Sequence, residues 1–149
     1  MNRFLLALSF FVPFVMSAQA QEQQYVGADK CKICHQKAYD IWNRSSHSRA
    51  HETLPQEKRQ ELRCLFCHAT DVREDLKGYR LLAVQCEACH GPGAQHVTLA
   101  TSNDPEEKQK PKSLEKMTES KCRECHTDVR SPTLRAFSYE TALQAIKHW

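Results

Sequence analysis

The chain has 149 residues, enough for one domain, with 26% charged residues, 8% aromatics and a formal net charge of +3. Leu, Ile, Val and Phe thin out after the N-terminal stretch, which excludes a large side-chain core and leaves a composition close to that of a disordered chain. A chain of this kind folds only around a partner that brings its own apolar surface.

The first feature in chain order is a secretory signal. Asn2 and Arg3 give a short positive start, residues 4–16 form an apolar run broken only by Ser9 and Pro13, and Ala18-Gln19-Ala20 is a small-x-small cleavage site. The run is short of the roughly 20 residues that span a bilayer. Cleavage after Ala20 would leave residues 21–149 as one exported domain, best placed in a Gram-negative periplasm. Nucleic acid is not expected as a partner there, nor is stable membrane insertion.

Beyond Ala20 a single pattern organises the sequence. Cys-x-x-Cys-His occurs at Cys31/Cys34/His35, Cys64/Cys67/His68, Cys86/Cys89/His90 and Cys122/Cys125/His126, and the four copies use all eight cysteines. This spacing reads as covalent attachment of haem c: two thiols add across the two vinyl groups and the adjacent histidine meets the iron. Paired Cys-x-x-Cys segments also build zinc sites, and eight cysteines can form a disulfide framework, but neither needs histidine after each second cysteine. With eight histidines in the chain, chance would place them at all four positions roughly once in a hundred thousand. Four covalently bound haems are therefore expected, with folding dependent on them. Their eight propionates would make the surface less basic than the sequence suggests.

The segments between the motifs carry helical signals. Ala38, Ile41, Trp42 and Ser45 recur at helical spacing after the first motif. Pro55 is placed to open a helix through Glu57, Glu61 and Leu62 into the second motif. Residues 79–85 suit either a short strand or a helical lead-in. Gly91-Pro92-Gly93 breaks the chain after the third motif. Residues 101–120 read as an exposed polar connection, in which the basic run at 108–112 follows acidic Asp104, Glu106 and Glu107. Ser138 is placed to cap a final helix containing Glu140, Ala142, Ala145 and Ile146. The motifs are 33, 22 and 36 residues apart, which excludes a regular solenoid. The expected fold is mostly α and loop-rich, with little or no sheet and a core formed by stacked haems.

Function turns on the sixth position of each iron, because a protein ligand there gives a carrier and an open position admits small molecules. Outside the motifs the histidines are His47, His51, His96 and His148. Four spare histidines for four haems makes bis-histidine ligation the simplest count. His47 and His51, four residues apart, share a helix face if that segment is helical, so they serve either two stacked haems or one. Met117, five residues before Cys122, suits a haem-edge cover better than a ligand.

The stretch 25–50, with Tyr25-Val26-Gly27, the first motif and Trp42-x-x-Ser45-x-His47-x-x-Ala50, resembles the tetrahaem cytochrome c family that accepts electrons from hydroxylamine oxidoreductase in ammonia-oxidising bacteria. So does the segment CEACHGPGAQH at 86–96. The same haem-packing motif recurs in pentahaem nitrite reductase and in hydroxylamine oxidoreductase. The resemblance implies crossed ligation that pairs His96 with His35, His47 with His126 and His148 with His90. It implies a five-coordinate second haem on His68, which His51 closes or leaves open. The reading is a periplasmic carrier between redox proteins, such as a periplasmic oxidoreductase and a membrane-bound quinone-linked cytochrome. The alternative is a reductase or nitrogen-oxide-binding enzyme acting at His68.

Overall fold

The computed structural model describes residues 24–72, 81–110, 114–127 and 137–148, and the N-terminal segment read as a signal peptide lies outside them. The described chain runs α1 (Ala28–Lys32), α2 (Gln36–Arg44), two 3-10 turns (Ser46–Arg49 and Gln56–Lys58), α3 (Leu62–His68) and β1 (Ala69–Asp71). It continues through β2 (Leu81–Leu82), α4 (Cys86–His90), α5 (Ala94–Thr101), α6 (Pro105–Gln109), α7 (Glu119–Arg123) and α8 (Tyr139–Ile146). The two strands pair antiparallel, with Ala69 opposite Leu82 and Asp71 opposite Leu81. The molecule is thus mostly helical and loop-rich with a minimal sheet, as composition and punctuation suggested. No described helix is long and apolar enough to cross a membrane.

None of these helices exceeds nine residues, well under the roughly 12–15 at which a helix begins to hold in isolation. Tertiary contacts must hold them, yet the buried apolar set is thin. Among the described residues it comprises Ala28, Ala50, Leu54, Leu65, Ala69, Ala83 and Leu99, four of which are alanine. Larger apolar side chains lie outside: Ile33 is 75% exposed and Phe66 54%. This is the arrangement of a chain whose main apolar partner is not a side chain.

Polar staples supply much of the remaining order. Glu87, inside the third motif and only 2% exposed, accepts hydrogen bonds from the backbone N–H groups of Val26 (2.9 and 3.1 Å to its two oxygens), Gly27 (2.7 Å) and Gly93 (2.6 Å). Beside it, the Gln85 carbonyl oxygen accepts from Ala28 N at 2.7 Å. The segment leading into the first motif is therefore tied to the third. Trp42 Nε1 donates to Val84 O at 2.7 Å, and Val84 N donates back to His47 O at 3.1 Å. These two bonds fix the chain around His47 against the strand exit.

Tertiary contacts keep some of the local signals and override others. Ser138 caps α8 by accepting from Thr141 N, and Gly91, at φ +78°, ends α4 as the break at 91–93 required. The helix expected to run unbroken from Pro55 into the second motif is instead two pieces. Glu61, extended at φ −75° and ψ 117°, separates the 3-10 turn from α3. Arg59 draws the intervening loop back on itself, its Nε donating to Leu54 O at 3.0 Å and its Nη2 to Glu52 O at 3.0 Å. Of the two readings of residues 79–85, the described part is a strand at Leu81–Leu82, stopped by Ala83 in the left-handed region at φ +70°. The polar stretch 101–120 is largely exposed but holds a helical turn, α6, before α7 starts at Glu119; Asp104 accepts from Glu106 N and Pro105 fits the first helical position of α6.

Candidate functional site

Each motif sits at a short helical turn: Cys31 in α1, Cys64 to His68 in α3, Cys86 to His90 in α4 and Cys122 in α7. One turn places residues i and i+3 on the same side, so the two thiols of a motif face one object together. No two of the eight cysteines are joined by a disulfide.

Their burial is not uniform, and Cys34 stands apart. Seven of the thiols are half-buried, as groups lining a shared interior should be, but Cys34 is exposed. The reason is local. α1 ends at Lys32, and Cys34 falls in the turn that follows, its N–H donating to Cys31 O at 3.2 Å. That turn projects from the surface, as exposed Ile33 beside it also shows. Cys34 keeps the i, i+3 relation to Cys31 that attachment needs, but it belongs to an outer edge of the site and not to its interior.

Hydrogen bonds also report which motifs are neighbours. Glu87 of the third motif accepts from Val26 N and Gly27 N, just ahead of the first. Glu115 N, on the segment leading into the fourth motif, donates to His90 O of the third at 3.0 Å. Cys125 Sγ lies 3.9 Å from Phe66 O of the second motif. In space the attachment points therefore run first, third, fourth, second.

Three of the histidines outside the motifs face motif histidines. His35 and His96 have ring centroids 6.1 Å apart, His47 and His126 6.0 Å, and His90 and His148 5.9 Å. Those separations are too wide for ring contact; the true stack in this structure, His126 on Phe137, is at 4.5 Å and 16°. Two imidazoles bound to one metal through nitrogens at about 2 Å each put their centroids roughly 6 Å apart. The spacing fits a metal held between each pair.

Hydrogen bonds select the tautomer for several of these rings. A carbonyl only accepts, so a ring nitrogen against it carries the proton. His68 Nδ1–H donates to Ala50 O at 2.6 Å, His90 Nδ1–H to Glu115 O at 3.1 Å and His148 Nδ1–H to Ile146 O at 2.8 Å. Each leaves Nε2 with its lone pair free, the usual arrangement behind a metal-ligating imidazole. Burial, and then the charge of His126, hold His47 below the usual imidazole range, and burial does the same to His126. Neutral rings are the ligating form.

His51 differs. Its Nε2–H donates to Arg59 O at 3.2 Å, the reverse of the Nδ1 pattern of the other rings, so Nε2 is spent on backbone. Among the described residues no ring faces His68 as His47, His96 and His148 face their partners.

A cavity of about 1250 Å³ is lined by Phe66, Cys67, His68, Cys125, His126 and His47, among others. That exceeds the 300–1,000 Å³ of ordinary small-molecule pockets, as a space shared by more than one porphyrin must. A smaller recess includes Trp42, Cys86, His90, Met117 and His148. Met117 lines both, with Sδ 3.7 Å from Cys122 Sγ, the covering position its sequence context suggested. The residues present thus fit haem c in donor type and spacing.

Sequence reasoning missed Glu87 and Phe137. The only signal for Glu87 was an acid inside a haem-attachment motif, which reads equally well as a solvated first helical turn. The carbonyls of Ala50 and Glu115, which orient two motif histidines, are backbone atoms and leave no trace in residue identity.

A family model described as cytochrome c554 and c-prime matches residues 30–91, a stretch that contains the first three motifs. Cytochrome c-554 of Nitrosomonas europaea is 26% identical over 112 residues, covering 60% of this chain and 47% of that protein. The chain spans about half the length of the curated relative it matches. No solved structure matches. These similarities support a c-type cytochrome with covalently held haem.

Proposed function

We propose that this chain is a periplasmic tetrahaem c-type cytochrome that carries electrons between redox proteins. The observation that carries this reading is the set of three facing histidine pairs near 6 Å, each formed by residues far apart in sequence. Cys31/Cys34, Cys64/Cys67, Cys86/Cys89 and Cys122/Cys125 would each hold one haem, with His35, His68, His90 and His126 as proximal ligands. His96, His47 and His148 would close the first, fourth and third irons. When bound, haem supplies reversible one-electron chemistry at iron. The chain's own work is positional. Its crossed histidines tie remote segments together, its Nδ1 hydrogen bonds aim the ligating nitrogens, and its attachment points follow one another in the order first, third, fourth, second.

A second reading is favoured by a specific observation at His68. The segment bearing Ala50 and His51 approaches His68 from its Nδ1 side, opposite the nitrogen aimed at the iron, and His51 spends Nε2 on Arg59. The second haem is therefore assigned an open sixth position, where a small nitrogen oxide would bind. Replacing His51 with alanine is expected to leave every haem's spin state unchanged and to cost about 1 kcal/mol through the lost hydrogen bond. A new high-spin signal in His51→Ala would make His51 a ligand.

The carrier reading is tested by reductive titration of the purified holoprotein. Four electrons per chain, returned in full to a protein oxidant, is the expected result. Uptake of fewer than four, or sustained consumption of nitrite or hydroxylamine, would contradict it.

A further inference from the structure

Building on the carrier reading, we propose that the first motif is a docking face for an acidic redox protein. Beside Cys34 and His35, which the haem would occupy, Lys30, Lys32, Ile33, Gln36 and Lys37 are all exposed. Three of the eight residues from Lys30 to Lys37 are lysines (Lys30, Lys32 and Lys37) and none is acidic. Between them Ile33 is 75% exposed, the most exposed large apolar side chain among the described residues. An apolar centre within a charged rim is the anatomy of a transient protein interface, in which the rim steers encounter and the centre desolvates.

The lysines are not neutralised locally. None of the three makes an ion pair among the described residues. Lys32 is instead held with Nζ 4.9 Å from the centroid of the Tyr39 ring, a cation–π contact that keeps its charge available. Two acids border the stretch. Asp29 lies in the first turn of α1, and Asp40 accepts a hydrogen bond from Gln36 Nε2 at 2.8 Å. The local sum remains positive.

The other motifs lack this combination. At the second, Leu62 and Phe66 are exposed, but Arg63 is paired with Glu61 at 2.6 Å. At the fourth, Arg123 is paired with Glu119 at 2.6 Å and Lys121 with Glu124 at 3.3 Å. The first motif also stands at one end of the spatial order of attachment points, where a partner meets the path without crossing the rest of the molecule. Charge complementarity selects the occupant, a protein whose own redox edge is ringed by carboxylates.

The test measures binding of the holoprotein to an acidic flavodoxin by titration calorimetry at low and high salt. Wild-type affinity should fall at least tenfold when ionic strength rises from about 20 to about 200 mM, since rim charges are screened over that range. The Lys30→Glu/Lys32→Glu/Lys37→Glu variant should bind at least tenfold more weakly at low salt, and the corresponding triple glutamine variant about threefold more weakly. Arg63→Glu, at the far end, should bind as wild type. Unaltered affinity in both triple variants would overturn the proposal, as would binding to phosphatidylserine vesicles with none to flavodoxin. Electron transfer from reduced flavodoxin, followed in parallel, separates this proposal from the carrier reading. Equal binding and equal transfer in wild type and variants would remove the docking face and leave the carrier. Binding that depends on the lysines but passes no electrons would keep the face and remove the carrier.

Discussion

Replacing Glu87 with alanine should destabilise the protein by about 5 kcal/mol, because three backbone donors, two of them in buried bonds, would lose a charged acceptor worth about 1.5–3 kcal/mol each. The donors are Val26, Gly27 and Gly93, and the residue whose carboxylate serves them is 2% exposed. Against a total of about 5–15 kcal/mol for an ordinary domain, this threatens the fold outright. The expected readout is a melting temperature lowered by about 15 °C, together with loss of the low-spin signature of the first haem, whose motif Glu87 holds to the third. Glu87→Gln keeps one carbonyl acceptor and should lose about half as much. Gly93 belongs to the same arrangement: a Cβ there would lie 3.0 Å from Glu87 Oε1, so only glycine admits the carboxylate without displacing it. An alanine variant melting within about 2 °C of wild type would show that Glu87 does not hold these segments.

The second large effect is expected at His47. Its ring faces His126 at 6.0 Å, and its backbone is pinned by Val84 and Trp42. His47→Ala would remove the ligand proposed for the fourth iron while leaving that backbone scaffold intact. The fourth motif lies inside the spatial order of attachment points, so the damage falls on the middle of the path. The high-spin share should rise from one haem in four to two in four, and carbon monoxide bound by the reduced protein from one to two per chain. Exogenous imidazole should restore the low-spin spectrum. Unchanged carbon monoxide stoichiometry would remove His47 from the ligand set.

What could be read in the sequence was the chemistry; what could not was the backbone. The motifs announce themselves because thiols and imidazole at fixed spacing have few alternative uses, and the resemblance carried by residues 25–50 and 86–96 paired His35 with His96, His47 with His126 and His90 with His148. The structure brings those same rings to facing positions. Capping and glycine breaks were legible for the same reason: Ser138 and Gly91 act through local geometry alone. The loop from Pro55 to Glu61 was not, because its course depends on where the Arg59 guanidinium finds carbonyls. The motif is spelled alike four times, so nothing in it marks Cys34 as the one exposed thiol; that follows from where α1 stops. His51 was undecidable from spacing. Only the position of Arg59 O shows that its Nε2 is spent on backbone. Glu87 was invisible because its partners are N–H groups roughly sixty residues upstream and six downstream.

The central claim is a crossed ligand set that closes three irons and leaves the one on His68 open. Electron paramagnetic resonance of the fully oxidised holoprotein tests it directly. Three low-spin haems and one high-spin haem per chain, with only the high-spin signal altered by nitric oxide, is the predicted spectrum. Four low-spin haems unaffected by nitric oxide, or two or more high-spin haems, would contradict it.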